Sequence, residues 1–155
     1  MQLAGCGVVG KLTRNWVAST PAHQRPKNKL NMTIAYFCIV IAIFIPLACT
    51  AYAKIKGKGY NNRRPREFAE TLVGRAKRAH DASQNSFENF APFAVGVVVA
   101  HQLHATQATV DALAIGFIIA RILYAIFYIN DQHAMRTVVW FIGLFITITL
   151  YFVRA

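Results

Sequence analysis

The sequence predicts an all-α integral membrane protein, a four-helix bundle, and three observations carry that prediction. Hydrophobic residues make up 55% of the 155-residue chain, charged residues only 15%, and mean hydropathy is +0.37. The 17 Lys and Arg against 6 Asp and Glu give a net charge of +11, and this charge is excluded from the apolar runs rather than interleaved with them. Those runs reach about 20 residues, the length a helix needs to cross a hydrocarbon core. A soluble basic domain carries more charge, roughly a quarter of its residues. The apolar content excludes a disordered chain. Segregated charge argues against nucleic acid as a partner, and leaves the lipid bilayer as the expected surroundings.

Residues 1–31 differ from the rest. They hold Lys11, Arg14, Arg25, Lys27 and Lys29, no acid and no sustained apolar run. Leu3-Ala4-Gly5-Cys6 has the form of a lipoprotein cleavage box, but only Met1 and Gln2 precede it. A signal needs roughly 7–15 apolar residues upstream of the cut. The expectation is a disordered or non-native extension over 1–31, with Met32 as an alternative start, followed by a membrane domain over 32–155.

The first span is expected at Ile34 to Ala53, with Pro46 inside it and Lys54, Lys56 and Lys58 closing it. Gly57, Gly59 and Asn61-Asn62 mark a loop. The segment from Arg66 to Leu103 reads as one helix, polar at its start and apolar towards its end. It is longer than the hydrocarbon core requires, so its start must project from the membrane. After a short polar connection a third span runs near Val110 to Ile129, and after a loop at Asn130 to Arg136 a fourth runs from Thr137 to Val153. Cys6, Cys38 and Cys49 are odd in number and lack metal-ligand spacing, so Cys38 and Cys49 read as small buried hydrophobes.

Charge sets the orientation. Nine basic residues fall between Lys54 and Arg78, none lies in the connection after Leu103, and Arg136 closes the next loop. Positive loops stay in the cytoplasm, so both termini are expected outside.

Polar side chains within spans are costly and mark function by default. Arg78, Asp81, Asn85 and Glu88 share one face of the second helix, and Arg121, Tyr124 and Tyr128 share one face of the third. Arg136 is followed by Thr137 at the start of the fourth. The plainer alternative is a Glu88–Arg121 salt bridge that only holds the bundle together. His101 and His104 read as interfacial or loop histidines, and Trp140 as an interface anchor.

The stretch RAKRAHDASQNSFENFAPFAVGVVVA, with Asn85-x-x-Glu88 leading into an apolar run, resembles the MAPEG family, the membrane-associated proteins in eicosanoid and glutathione metabolism, in a bacterial-type form. Lys54-Ile-Lys56, Arg121-x-x-Tyr124-x-x-x-Tyr128 and Arg136-Thr137 follow the same order, over about Met32 to Arg154. The resemblance implies a homotrimer with glutathione as co-substrate between neighbouring subunits on the cytoplasmic side. It implies glutathione contacts at Lys54, Asn85, Glu88, Arg121, Tyr128 and Arg136, and Tyr124, on the Arg121 face, is a further candidate contact. Gln84 stands where an Arg often precedes the Asn, and Tyr124 where some members have His.

The chemistry suits that ligand. Glutathione's carboxylates call for guanidinium or ammonium partners, and its ammonium for a carboxylate such as Glu88. Its thiol, with a pKa near 8.5, needs a neighbouring cation to become a thiolate at neutral pH. Arg136 is the expected cation and Thr137 the secondary donor, with a lipophilic electrophile entering from the bilayer. The expected activity is a membrane-bound glutathione transferase or peroxidase, in a bacterial inner membrane. The alternative is a non-enzymatic scaffold or small-solute transporter on the same bundle.

Overall fold

A computed structural model describes residues 32–154, and the expectations for residues 1–31 lie outside the described residues. Among the described residues five helices follow in order: α1 (Ile34–Lys56), α2 (Pro65–Glu70), α3 (Gly74–Gln102), α4 (Gln107–Ile129) and α5 (His133–Phe152). No strand occurs among the described residues. Three helices, α1, α4 and α5, are long and apolar enough to cross a membrane. The fourth long helix, α3, is polar in its first half. The described residues therefore form an all-helical membrane protein, as the sequence predicts.

On α1 the buried positions are Ala35, Cys38, Ala42, Pro46, Cys49 and Ala53, spaced three or four apart. This is one stripe of small side chains, and in a membrane small residues let helix backbones approach closely where lipid removes any hydrophobic drive. The stripe packs on α3 and α4, and α5 packs on α4 and α3. Cys38 and Cys49 are buried and free, as expected. Proline at 46 has no amide to donate, so the Ala42 carbonyl four residues earlier loses its helical donor, while the Pro46 carbonyl gains a bond from a neighbouring helix. Ser83 Oγ donates to the Pro46 carbonyl at 2.8 Å and lies 2.8 Å from Thr50 Oγ1. The carbonyl of the second internal proline likewise accepts from another helix: Tyr151 Oη donates to the Pro92 carbonyl at 2.8 Å.

The single helix expected from Arg66 to Leu103 is corrected by the structure. The chain forms the short helix α2, breaks at Thr71 to Val73, and begins α3 at Gly74. Two local causes act together. Thr71 folds its hydroxyl back onto the Phe68 carbonyl at 2.8 Å, ending α2, and Gly74 takes φ +58°, a left-handed conformation that glycine adopts without strain. The break buries Phe68 and Leu72 beside Ala53. Gly57 makes this possible, since a Cβ there would stand 2.5 Å from both Phe68 Cζ and Leu72 Cδ2. The fourth span also starts earlier than expected, at His133, which puts Arg136 in the first turn of α5 rather than in a loop.

Opposite ends of the bundle are tied differently. At the basic end, Arg78 Nε donates to the Ile129 carbonyl at 3.0 Å and its Nη1 lies 3.6 Å from Asp131, binding α3 to the C-terminus of α4. At the far end, Asp111 of α4 accepts from the Ala35 amide at 2.8 Å and so caps α1.

Candidate functional site

Arg121 is the centre of the polar half. It is only 3% exposed, on the inner face of α4. Its Nη2 donates to Asn85 Oδ1 at 2.9 Å and to Ser86 Oγ at 3.3 Å, both on α3. Asn85 in turn points Nδ2 at Glu88 Oε2, 3.4 Å away. The Glu88–Arg121 salt bridge weighed from sequence is not formed: Asn85 takes the guanidinium, and Glu88 stays exposed one turn further along.

From Arg121 a ladder of two rings with a cation at each end runs to the basic end of the bundle. The Arg121 guanidinium sits 4.4 Å from the Tyr124 ring centroid. Tyr124 meets Tyr128 edge to face at 5.6 Å. Arg136, reaching over from α5, places its guanidinium 4.4 Å from the Tyr128 ring. Helical spacing puts the two tyrosines on one face of α4, and the short turn at 130–132 brings Arg136 alongside. Cation–ring attraction grows where the cation is desolvated, so the ladder orients both guanidiniums.

The ladder opens into a cleft of about 360 Å³ lined by Tyr124, Tyr128, Arg136, Thr137, Trp140 and Phe141. It joins a cation and two phenols to two large apolar side chains. Thr137 donates its hydroxyl to the His133 carbonyl at 3.0 Å, so the proton of the expected secondary donor is engaged within α5. Trp140, expected as an interface anchor, lines this cleft.

Lys54 is elsewhere. It lies 4.7 Å from the Tyr60 ring centroid, and with Arg66, Lys77, His80 and Gln84 it borders a second, larger cleft of about 490 Å³ between α1, α2 and α3. The structure thus divides the expected site residues. Asn85, Glu88, Arg121, Tyr124, Tyr128, Arg136 and Thr137 form one connected group, and Lys54 belongs to a separate basic surface of the same chain.

Sequence reasoning passed over the residues that hold this group in place. Ser83 and Ser86 are buried among helices and serve Pro46, Thr50 and Arg121. Their signal was their position, next to Asn85 and on the same inner side of α3. Asp111 was also missed, although a carboxylate one residue inside an apolar run marks a polar task.

A family model described as the MAPEG family matches residues 32–155. The chain belongs to the MAPEG family. Comparison with curated proteins and with solved structures returns no match. The match spans every described helix, so the membrane bundle, the α3 face with Asn85 and Glu88, and the α4 ladder all lie inside the MAPEG region. The family includes glutathione transferases and peroxidases.

Proposed function

We propose that this MAPEG protein binds glutathione and transfers its thiolate to lipophilic electrophiles, or reduces lipophilic peroxides with it. The observation that carries this is the cleft in which Arg136, held over Tyr128, faces Trp140 and Phe141. A fixed guanidinium stabilises a thiolate, and the adjoining apolar wall suits an electrophile drawn from the bilayer. Glu88 stands exposed for the ligand's ammonium, while Arg136 and Lys54 are free to meet carboxylate or thiolate.

Buried Arg121 has a different task. With its Nη2 committed to Asn85 and Ser86, it fixes Asn85 and the ladder rather than reaching the ligand itself. The separation of Lys54 from Arg136 supports assembly. A homotrimer would set the Lys54 cleft of one copy beside the Arg136 cleft of the next, so that one tripeptide meets both. Charge distribution supports a cytoplasmic basic end and both termini outside, in a bacterial inner membrane.

Glutathione-dependent stabilisation tests the function. Detergent-solubilised protein at 100 times the dissociation constant should gain about 2.7 kcal/mol. No thermal shift at millimolar glutathione would favour the scaffold or transporter alternative. Cross-linking in mild detergent should proceed to trimers, and a stop at dimers would contradict the assembly. Cysteine accessibility should place Arg64 and Asp131 in the cytoplasm and Ala105 outside.

A further inference from the structure

We propose that one water molecule is built into the bundle between α1, α3 and α4, held by Arg121 Nε, Ser86 Oγ and the Ala42 carbonyl. Arg121 is 97% buried, and its Nε is a buried polar side-chain atom with no hydrogen-bond partner among the described residues. A charged N–H without an acceptor in a low-dielectric interior demands one. Arg121 borders a small pocket with Ala42, Ile45, Ser86, Phe90 and Phe117. It has about 10 Å³ of room for the centre of a water-sized sphere. That is enough for one water and too little for a second, or for any ligand group larger than water.

Size alone does not make a water site, because apolar cavities stay dry and an internal water needs two to four polar partners. Three are supplied here. The first is the Arg121 Nε–H, a donor. The second is Ser86 Oγ, whose own proton goes to the Ala82 carbonyl at 2.7 Å, leaving it able to accept. The third follows from the sequence. In a helix the Ala42 carbonyl accepts from the amide four residues on, and that residue is Pro46, which has no N–H. The water accepts from Nε and donates to both oxygens, so all three groups are satisfied.

Pro46 therefore does more than bend α1. It frees a carbonyl at the level where α4 brings a guanidinium, and the water between them fixes the guanidinium plane that addresses Asn85. This site does not depend on the identity of the substrate and can be tested without one.

The test uses the full chain in lipid nanodiscs with arginine labelled at Nε. The Arg121 Hε resonance, assigned by its loss in Arg121→Lys, should show a nuclear Overhauser effect to water with the sign of a molecule tumbling with the protein. Its exchange should be slower than that of the exposed arginines. Absence of that effect overturns the proposal. In Pro46→Ala the restored amide takes one lone pair of the Ala42 carbonyl, so the effect should weaken, and an undiminished signal would remove the carbonyl from the site. Should Pro46→Ala not fold, Ala42→Val fills the pocket with methyl groups and should abolish the effect; a signal that survives it overturns the location.

Discussion

Two halves of the same bundle solve the problem of living in lipid in opposite ways. Around Phe93 the interior is dry: Phe93 stacks on Phe117 with centroids 3.8 Å apart, enclosed by Val97, Ala114 and Leu150. Two turns along α3 the interior is polar, with Ser83, Ser86 and Arg121 all buried. Lipid tails are as apolar as the dry half, so that half is held by shape and close packing. The polar half must find every partner inside the protein, since the bilayer offers none. Buried polarity is tolerated where something is done with it, and here it leads to the Arg136 cleft. The dry half sets the helices in place; the polar half aims side chains.

This division predicts effects that separate cleanly, and the largest belongs to the dry half. Phe93→Ala should lower stability by about 3–5 kcal/mol through the cavity it leaves, read as thermal unfolding in detergent, with the KM for glutathione of the folded fraction unchanged. Arg136→Ala should do the reverse, leaving unfolding nearly untouched and lowering kcat by about 10²-fold. The bound thiol's titration, followed by thiolate absorbance, should move to higher pH in that variant; an unmoved titration would reduce Arg136 to a carboxylate clamp. A crossing of these two patterns, with Phe93→Ala hitting chemistry and Arg136→Ala hitting stability, would break the division itself. Glu88→Gln keeps shape and removes charge, and should raise the KM for glutathione by about tenfold with kcat held, the mark of uniform binding lost. The smallest effect is expected of Tyr151→Phe, which removes one bond to the Pro92 carbonyl. Hydrogen bonds between membrane helices average about 0.6 kcal/mol, so unfolding should shift slightly and kinetics not at all.

Much of this was legible in the residues. Span lengths follow from apolar runs, and the shared faces of Asn85 with Glu88 and of Tyr124 with Tyr128 follow from helical spacing. The ladder that joins Arg121 to Arg136 was not legible, because it depends on how α4 and α5 turn against each other after residues 130–132. The break before Gly74 was hidden for another reason. Periodicity carries across Thr71 to Val73, and only the burial of Phe68 and Leu72 under Gly57, a tertiary contact, makes the interruption favourable. The partner of Arg121 is not legible either, because charge suggests Glu88, whereas the side chain within reach is the amide one turn earlier.

The cap at the far end of the bundle has a consequence for biosynthesis. The amide of Ala35 is satisfied by Asp111, which lies 76 residues later in the chain. As the polypeptide leaves the ribosome, α1 can enter the bilayer as a helix while its opening turn still relies on Thr33 and on interfacial water. Only when α4 arrives does the carboxylate reach that amide, so α1 is completed by a residue made well after it. A ribosome-stalled intermediate truncated before residue 107 should therefore expose the start of α1 to hydrogen exchange, and one extended past residue 129 should protect it.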